Sequence, residues 1–86
     1  MRINIVEKGM LAKSKAGHDK GLLYVIYDDD ETYVYLVDGQ IRTIDKPKKK
    51  KRKHVQIICE KHEIEGKDDV AVKRILKLFD KETGRI

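Results

Sequence analysis

The sequence predicts a mainly β fold, a small five-stranded barrel carrying one C-terminal α-helix. Three observations predict it. Short runs rich in Val, Ile, Leu and Tyr recur between tight turn signals over the first two thirds of the chain. Past Gly66 the apolar residues change from strand spacing to helix spacing. The 86 residues, 41% charged and 40% hydrophobic, allow one domain with one modest core.

The elements follow in order. Residues 9–13, Gly-Met-Leu-Ala-Lys, read as a first strand, and 14–21 as a polar loop with glycines at 17 and 21. Glycine adopts positive φ without steric penalty, so this pair marks a sharp turn or a close backbone approach. Residues 22–27 form a dense strand of Leu, Tyr, Val and Ile, apolar on both parities as expected where both faces are covered. The acids at 28–31 make a polar break. Residues 32–37 are another strand, and Asp38-Gly39 signals a two-residue type I′ turn that pairs 40–44 back as its partner. Asp45-Lys46-Pro47 ends that hairpin, since proline donates no ladder hydrogen bond. Residues 55–59 are the last strand. Five short strands with tight turns suit a barrel better than a sandwich.

Residues 1–59 therefore make the barrel, 60–67 a charged linker, and 68–83 a helix packed on the barrel. Asp68 or Asp69 caps the helix start, and Gly84 stops it. Val72, Ile75, Leu76 and Phe79 recur at i, i+3, i+4 and i+7, and Ala71 and Leu78 widen that face.

The net charge of +5 is unevenly placed. Residues 1–54 hold 13 Lys/Arg against 8 Asp/Glu, whereas 55–86 hold 7 of each. Seven of the eight positions 46–53 are basic, Pro47 being the exception. Such density attracts polyanions, through counterion release when the polymer is nucleic acid. Mutual repulsion predicts that 48–53 is mobile in the free protein.

The stretch S-K-A-G-H-D-K-G, then V-D-G-Q-I-R at 37–42 and K-P-K-K-K-K-R-K-H-V-Q at 46–56, resembles the KOW-domain RNA-binding proteins of bacteria. Those are related to KOW-motif ribosomal proteins of the archaeal and eukaryotic large subunit. The resemblance covers roughly residues 6–56 and implies a five-stranded SH3-like barrel. It also implies ribosomal RNA as the partner, with ribosomal proteins as neighbours and a role in large-subunit structure or translation. His18 departs from the family, which often carries Arg there, so a fixed positive charge is missing from the loop. A KOW module in protein interaction or transcription elongation is the alternative, because one fold hosts several functions.

The residues expected to contact RNA are Lys13, Lys15, Gly17, His18, Lys20 and Gly21 at the glycine loop, with Arg42 on the hairpin. The basic run adds Lys46, Lys48, Lys49, Lys50, Lys51, Arg52, Lys53 and His54. In the topology the resemblance implies, loops at one barrel end converge into a continuous basic surface. Phosphate contacts there bring affinity with little sequence reading. Tyr24, Tyr27, Tyr33 and Tyr35 have two uses open to them: stacking on bases from the barrel exterior, or packing beneath the helix, which is the simpler expectation.

Other chemistry finds no support. No Ser/His/Asp set or Walker-type loop is legible, so neither catalysis nor a small-molecule substrate is expected. Four consecutive acids at 28–31 would alternate faces in a strand and cannot converge on one ion. His54, Cys59 and His62 fit no common zinc spacing, and no cofactor is expected. No run approaches the ~20 apolar residues that span a bilayer, and the N-terminal sequence has no secretory apolar region. A single cysteine excludes an internal disulfide framework and predicts a reducing, cytoplasmic setting.

Overall fold

The computed structural model describes residues 6–82. The fold is mainly β: one antiparallel sheet of five strands and one C-terminal helix. The strands are β1 (Met10–Ser14), β2 (Leu23–Asp29), β3 (Tyr33–Val37), β4 (Lys48–Lys51) and β5 (Val55–Lys61), and the helix is α1 (Asp69–Glu82). Spatial order is β4-β3-β2-β1-β5, so β4 and β5 are the two edges.

The edges are nevertheless consecutive in the chain, joined by the short 3-10 turn Arg52–His54. Four strand spacings of about 4.8 Å would hold them about 19 Å apart in a flat sheet. Four Cα steps reach about 14 Å at most, and a 3-10 turn reaches less. The sheet is therefore strongly curled. The turn is pinned at both ends: Arg52 N–H donates to the Thr32 carbonyl (2.9 Å), and Lys15 N–H donates to the His54 carbonyl (2.8 Å). No ladder joins β4 to β5 among the described residues, so the sheet is open.

Each face of the sheet buries its own cluster. Met10, Ala12, Tyr24, Ile26, Val34, Leu36 and Val55 form the first, with Val6 and Ile57 against it. No described helix residue joins this cluster, so the curl of the sheet encloses it and this face is the inside. Leu11, Val25 and Val37 lie on the outside, where Val72 of α1 completes the second cluster and Ile75, Leu76 and Phe79 pack around it. β1 and β2 are thus apolar on both parities because both their faces are covered. Leu78, expected to widen the helix face, is about half exposed.

Both candidate cap residues are used, for different tasks. Asp68 accepts the Ala71 N–H (3.1 Å) as a helix cap, while Asp69 accepts the Ile44 N–H (2.9 Å). The expected stop at Gly84 and the last residue of the expected helix, Thr83, lie outside the described residues, as does the start of the expected barrel segment at 1–5.

The main correction concerns 38–51. Residues 40–44 do not form a strand; the partner of β3 is the lysine run itself. The Asp38 carboxylate accepts the N–H groups of Gln40 (2.8 Å) and Arg42 (2.9 Å), and the Asp38 and Gly39 N–H groups both donate to the Arg42 carbonyl. This closed loop satisfies locally the groups a hairpin ladder would need. Positive φ is found at Gly39 (82°) and at no described non-glycine residue, so the two-residue type I′ geometry is not formed. The chain then reaches Asp69 and returns along β3. Residues 48–51 form an edge strand, and lysines there discourage pairing with other chains. At 28–31 the expected break starts later: β2 runs through Asp29, and the Asp30 carboxylate closes the turn by accepting the Thr32 and Tyr33 N–H groups (2.9 and 2.7 Å).

Candidate nucleic-acid interface

The pleat of β4 divides the lysine run. Its register pairs Leu36 with Lys48 and Val34 with Lys50, so these two lysines share the inside face with the core. Tyr35 faces Lys49 and Tyr33 faces Lys51, so these lysines point outward.

The inward lysines reach a single carboxylate. Asp19 accepts hydrogen bonds from Ser14 Oγ (2.8 Å), Tyr24 Oη (2.9 Å) and Lys50 Nζ (3.2 Å), and Lys48 Nζ stands 3.7 Å away. The side chains of Asp19 and Lys50 are each only 11% exposed. Burial alone would raise the Asp19 pKa; the hydrogen bonds from Ser14, Tyr24 and Lys50, with the charge of Lys48, outweigh it and hold the carboxyl at about 2. Tyr24, desolvated and donating to Asp19, is pushed up to about 12. Lys50 Nζ also donates to the Ala16 carbonyl (3.1 Å), tying β4 to the glycine loop across 34 residues of sequence. Lysine stems cover the open end of the core while their ammonium groups meet the loop. Lys48 and Lys50 thus both turn toward Asp19, whose single charge offsets one of the two.

The loop is built around this carboxylate. Ser14 N–H donates to the Leu22 carbonyl and Gly21 N–H to the Ser14 carbonyl, closing its neck, while Lys20 N–H donates to the Gly17 carbonyl. Gly17 and Gly21 have φ of 86° and 91°, as the sequence predicts. Lys15, Gly17, His18 and Lys20 are exposed on the loop rim, and Gly21 and Lys13 are half-buried at its base. The Lys15–His54 backbone bond sets this rim against the 3-10 turn, where Lys53 is exposed, Arg52 and His54 are half-buried, and Lys51 lies just before. One cationic corner results, with Lys15, Lys20, Lys51 and Lys53 its exposed lysines. Those four form no ion pair with a described residue.

The remaining candidates have other positions. Arg52 pairs with Asp29 (Nη2–Oδ2 2.9 Å). Arg42 is half-buried in the closed loop after β3, near enough to Tyr24 that its charge acts on that hydroxyl. Lys46 is exposed in the turn leading to β4. The tyrosines divide between the two uses open to them: Tyr24 lies in the inside core and Tyr27 packs at the helix side, whereas Tyr33 and Tyr35 belong to neither cluster and stand on the outer face.

Sequence reasoning missed Asp19. A lone acid in a lysine-rich loop carries no signal, because its partners lie 5 residues away and 29–31 residues away. Among the described residues no group of three or more His, Cys, Asp and Glu side chains is gathered to hold a metal, and no helix is long and apolar enough to cross a membrane. In comparisons with known proteins, no protein family and no curated protein matches this chain.

Proposed function

We propose that this chain is a non-catalytic RNA-binding protein of the KOW type, its curled sheet an SH3-like barrel and its target ribosomal RNA in a ribosomal or translation-associated, cytoplasmic role. The observation that carries the reading is the Lys15–His54 backbone bond. It joins two cationic segments, separated in sequence, into one exposed corner, and these are the segments on which the KOW resemblance rests. A corner of exposed lysines spaced along a turn and a loop suits phosphates along a strand, and Gly17 and Gly21 keep that backbone free of side-chain bulk. Phosphate contact supplies affinity, and RNA shape and exposed bases supply recognition.

The test is a salt titration of RNA affinity. Four lysines meeting four phosphates predict a slope of log affinity against log salt of roughly −3 for a single strand. Salt-independent affinity, or no RNA binding at low salt, would refute the reading. Sedimentation of tagged protein in a lysate gradient, with crosslink mapping, tests the ribosomal assignment; crosslinks confined to proteins would favour the interaction-module alternative.

A further inference from the structure

Tyr33 and Tyr35 stand side by side on the outer face with Lys51 and Lys49 opposite them across the β3–β4 ladder. Lys49 Nζ lies 4.3 Å from the centroid of the half-buried Tyr33 ring, a cation–π contact that covers one ring face. The surface adjoins the cationic corner directly: Lys51 faces Tyr33, and the Arg52 N–H bonds the carbonyl of Thr32, the residue before Tyr33.

Three of the four acids nearby are engaged locally, and the fourth, Glu31, is exposed in the hollow lined by Lys51, Arg52 and Lys53. Asp28 faces Lys8 (3.8 Å), Asp29 is paired with Arg52, and the Asp30 carboxylate is occupied by two backbone N–H groups and the Tyr35 hydroxyl (2.9 Å). That last bond fixes Tyr35 beside the Tyr33 ring.

We propose that Tyr33 is a base-stacking platform for single-stranded RNA. Resting on the RNA-binding reading above, the inference adds which form of RNA is taken: a strand held at the cationic corner lays one unpaired base on the Tyr33 ring. The base takes the place of the Lys49 ammonium, which turns to the adjacent phosphate. Any base has a π face, so the platform selects unpaired over paired RNA without selecting sequence. The charge complementarity is local, since Lys49 and Lys51 flank the ring whose face is offered.

The test compares the full chain with its Tyr33→Leu and Tyr33→Phe variants. The probe is a short single-stranded oligouridylate carrying one 2-aminopurine, set against an RNA duplex of equal length. Tyr33→Leu should weaken single-strand binding by about 5- to 150-fold and leave duplex binding and the salt slope nearly unchanged, while Tyr33→Phe retains affinity. Fluorescence quenching of the 2-aminopurine should accompany binding by the native and Phe proteins and be lost with Leu. If Tyr33→Leu binds the single strand as the native protein does while Lys53→Glu is impaired, the platform is wrong and the RNA-binding reading stands. Equal losses on strand and duplex would also overturn the platform. If the native protein binds neither probe, both readings fall.

Discussion

Replacing Asp19 by Asn should remove the keystone of the loop end of the sheet. Asn preserves the shape, but its single oxygen can accept from only one of Ser14 and Tyr24, which bond different oxygens of Asp19, and it leaves Lys50, only 11% exposed, beside a neutral amide. A carboxyl held at about 2 rather than 3.8 represents roughly 2 kcal/mol of folding stability at neutral pH. Breaking a fully buried pair costs about 3–5 kcal/mol, and the lysine stem relieves part of that by reaching toward water. A loss of about 2–3 kcal/mol follows, which lowers Tm by roughly 10–20 °C in a domain of this size. Thermal melts followed by far-UV circular dichroism measure it. The pH dependence supplies a second check. The folded pKa lies below the unfolded one, so the contribution is fully present above about pH 4 and is lost as pH falls through about 2. The Tm gap between native protein and Asp19→Asn should therefore shrink over that window. Adding Lys50→Met to Asp19→Asn should recover part of the loss, because the stranded charge is then gone. A Tm for Asp19→Asn equal to the native value at neutral pH would refute the reasoning, as would a gap that persists unchanged at pH 2.

Three further outcomes are expected. Lys49→Glu with Lys51→Glu should leave Tm nearly unchanged and lower RNA affinity, whereas Lys50→Glu, aimed at Asp19, should prevent stable folding; melts and binding isotherms of the variants separate the two faces. Gly17→Val or Gly21→Val should weaken RNA binding more than Gly66→Val, which shares a positive φ (72°) and so controls for backbone strain, and equal effects on affinity would deny the loop a special role. Deleting residues 70–86 uncovers Leu11, Val25 and Val37 and removes Val72; at about 1.5–3 kcal/mol for each fully buried side chain, the loss rivals the ~5 kcal/mol of a marginal domain, so the cooperative melt should vanish.

Much of the fold was legible because its signals are local. β1, β2, β3 and β5 were expected within a few residues of their ends, and the apolar stripe of α1 packs where its spacing indicates. The positive φ of Gly17 and Gly21 also followed from residue type, since only glycine takes that geometry without strain. The cationic excess before residue 55 needed only counting.

Tertiary structure decided what depended on a partner far along the chain. Binary patterning locates a strand by alternation of apolar and polar residues, and Lys-Lys-Lys-Lys at 48–51 has none to show. Two of those lysines nonetheless lie on the inside face, because the Asp19 carboxylate attracts both ammonium groups, offsetting one of the two charges, and Lys48 keeps 26% of its side chain exposed. The false hairpin at 40–44 had the reverse cause: Asp38-Gly39 does turn the chain, with Gly39 at positive φ, but not in type I′ geometry, and Asp38 and Asp69 took the backbone N–H groups a strand would have used. The side assigned to each tyrosine came from the register of β2 and β3 against their neighbours and from where α1 lies across the sheet. Charge and local propensity are properties of single residues and short windows. Which of two faces a residue takes is a property of pairing, and pairing exists only once the chain has closed on itself.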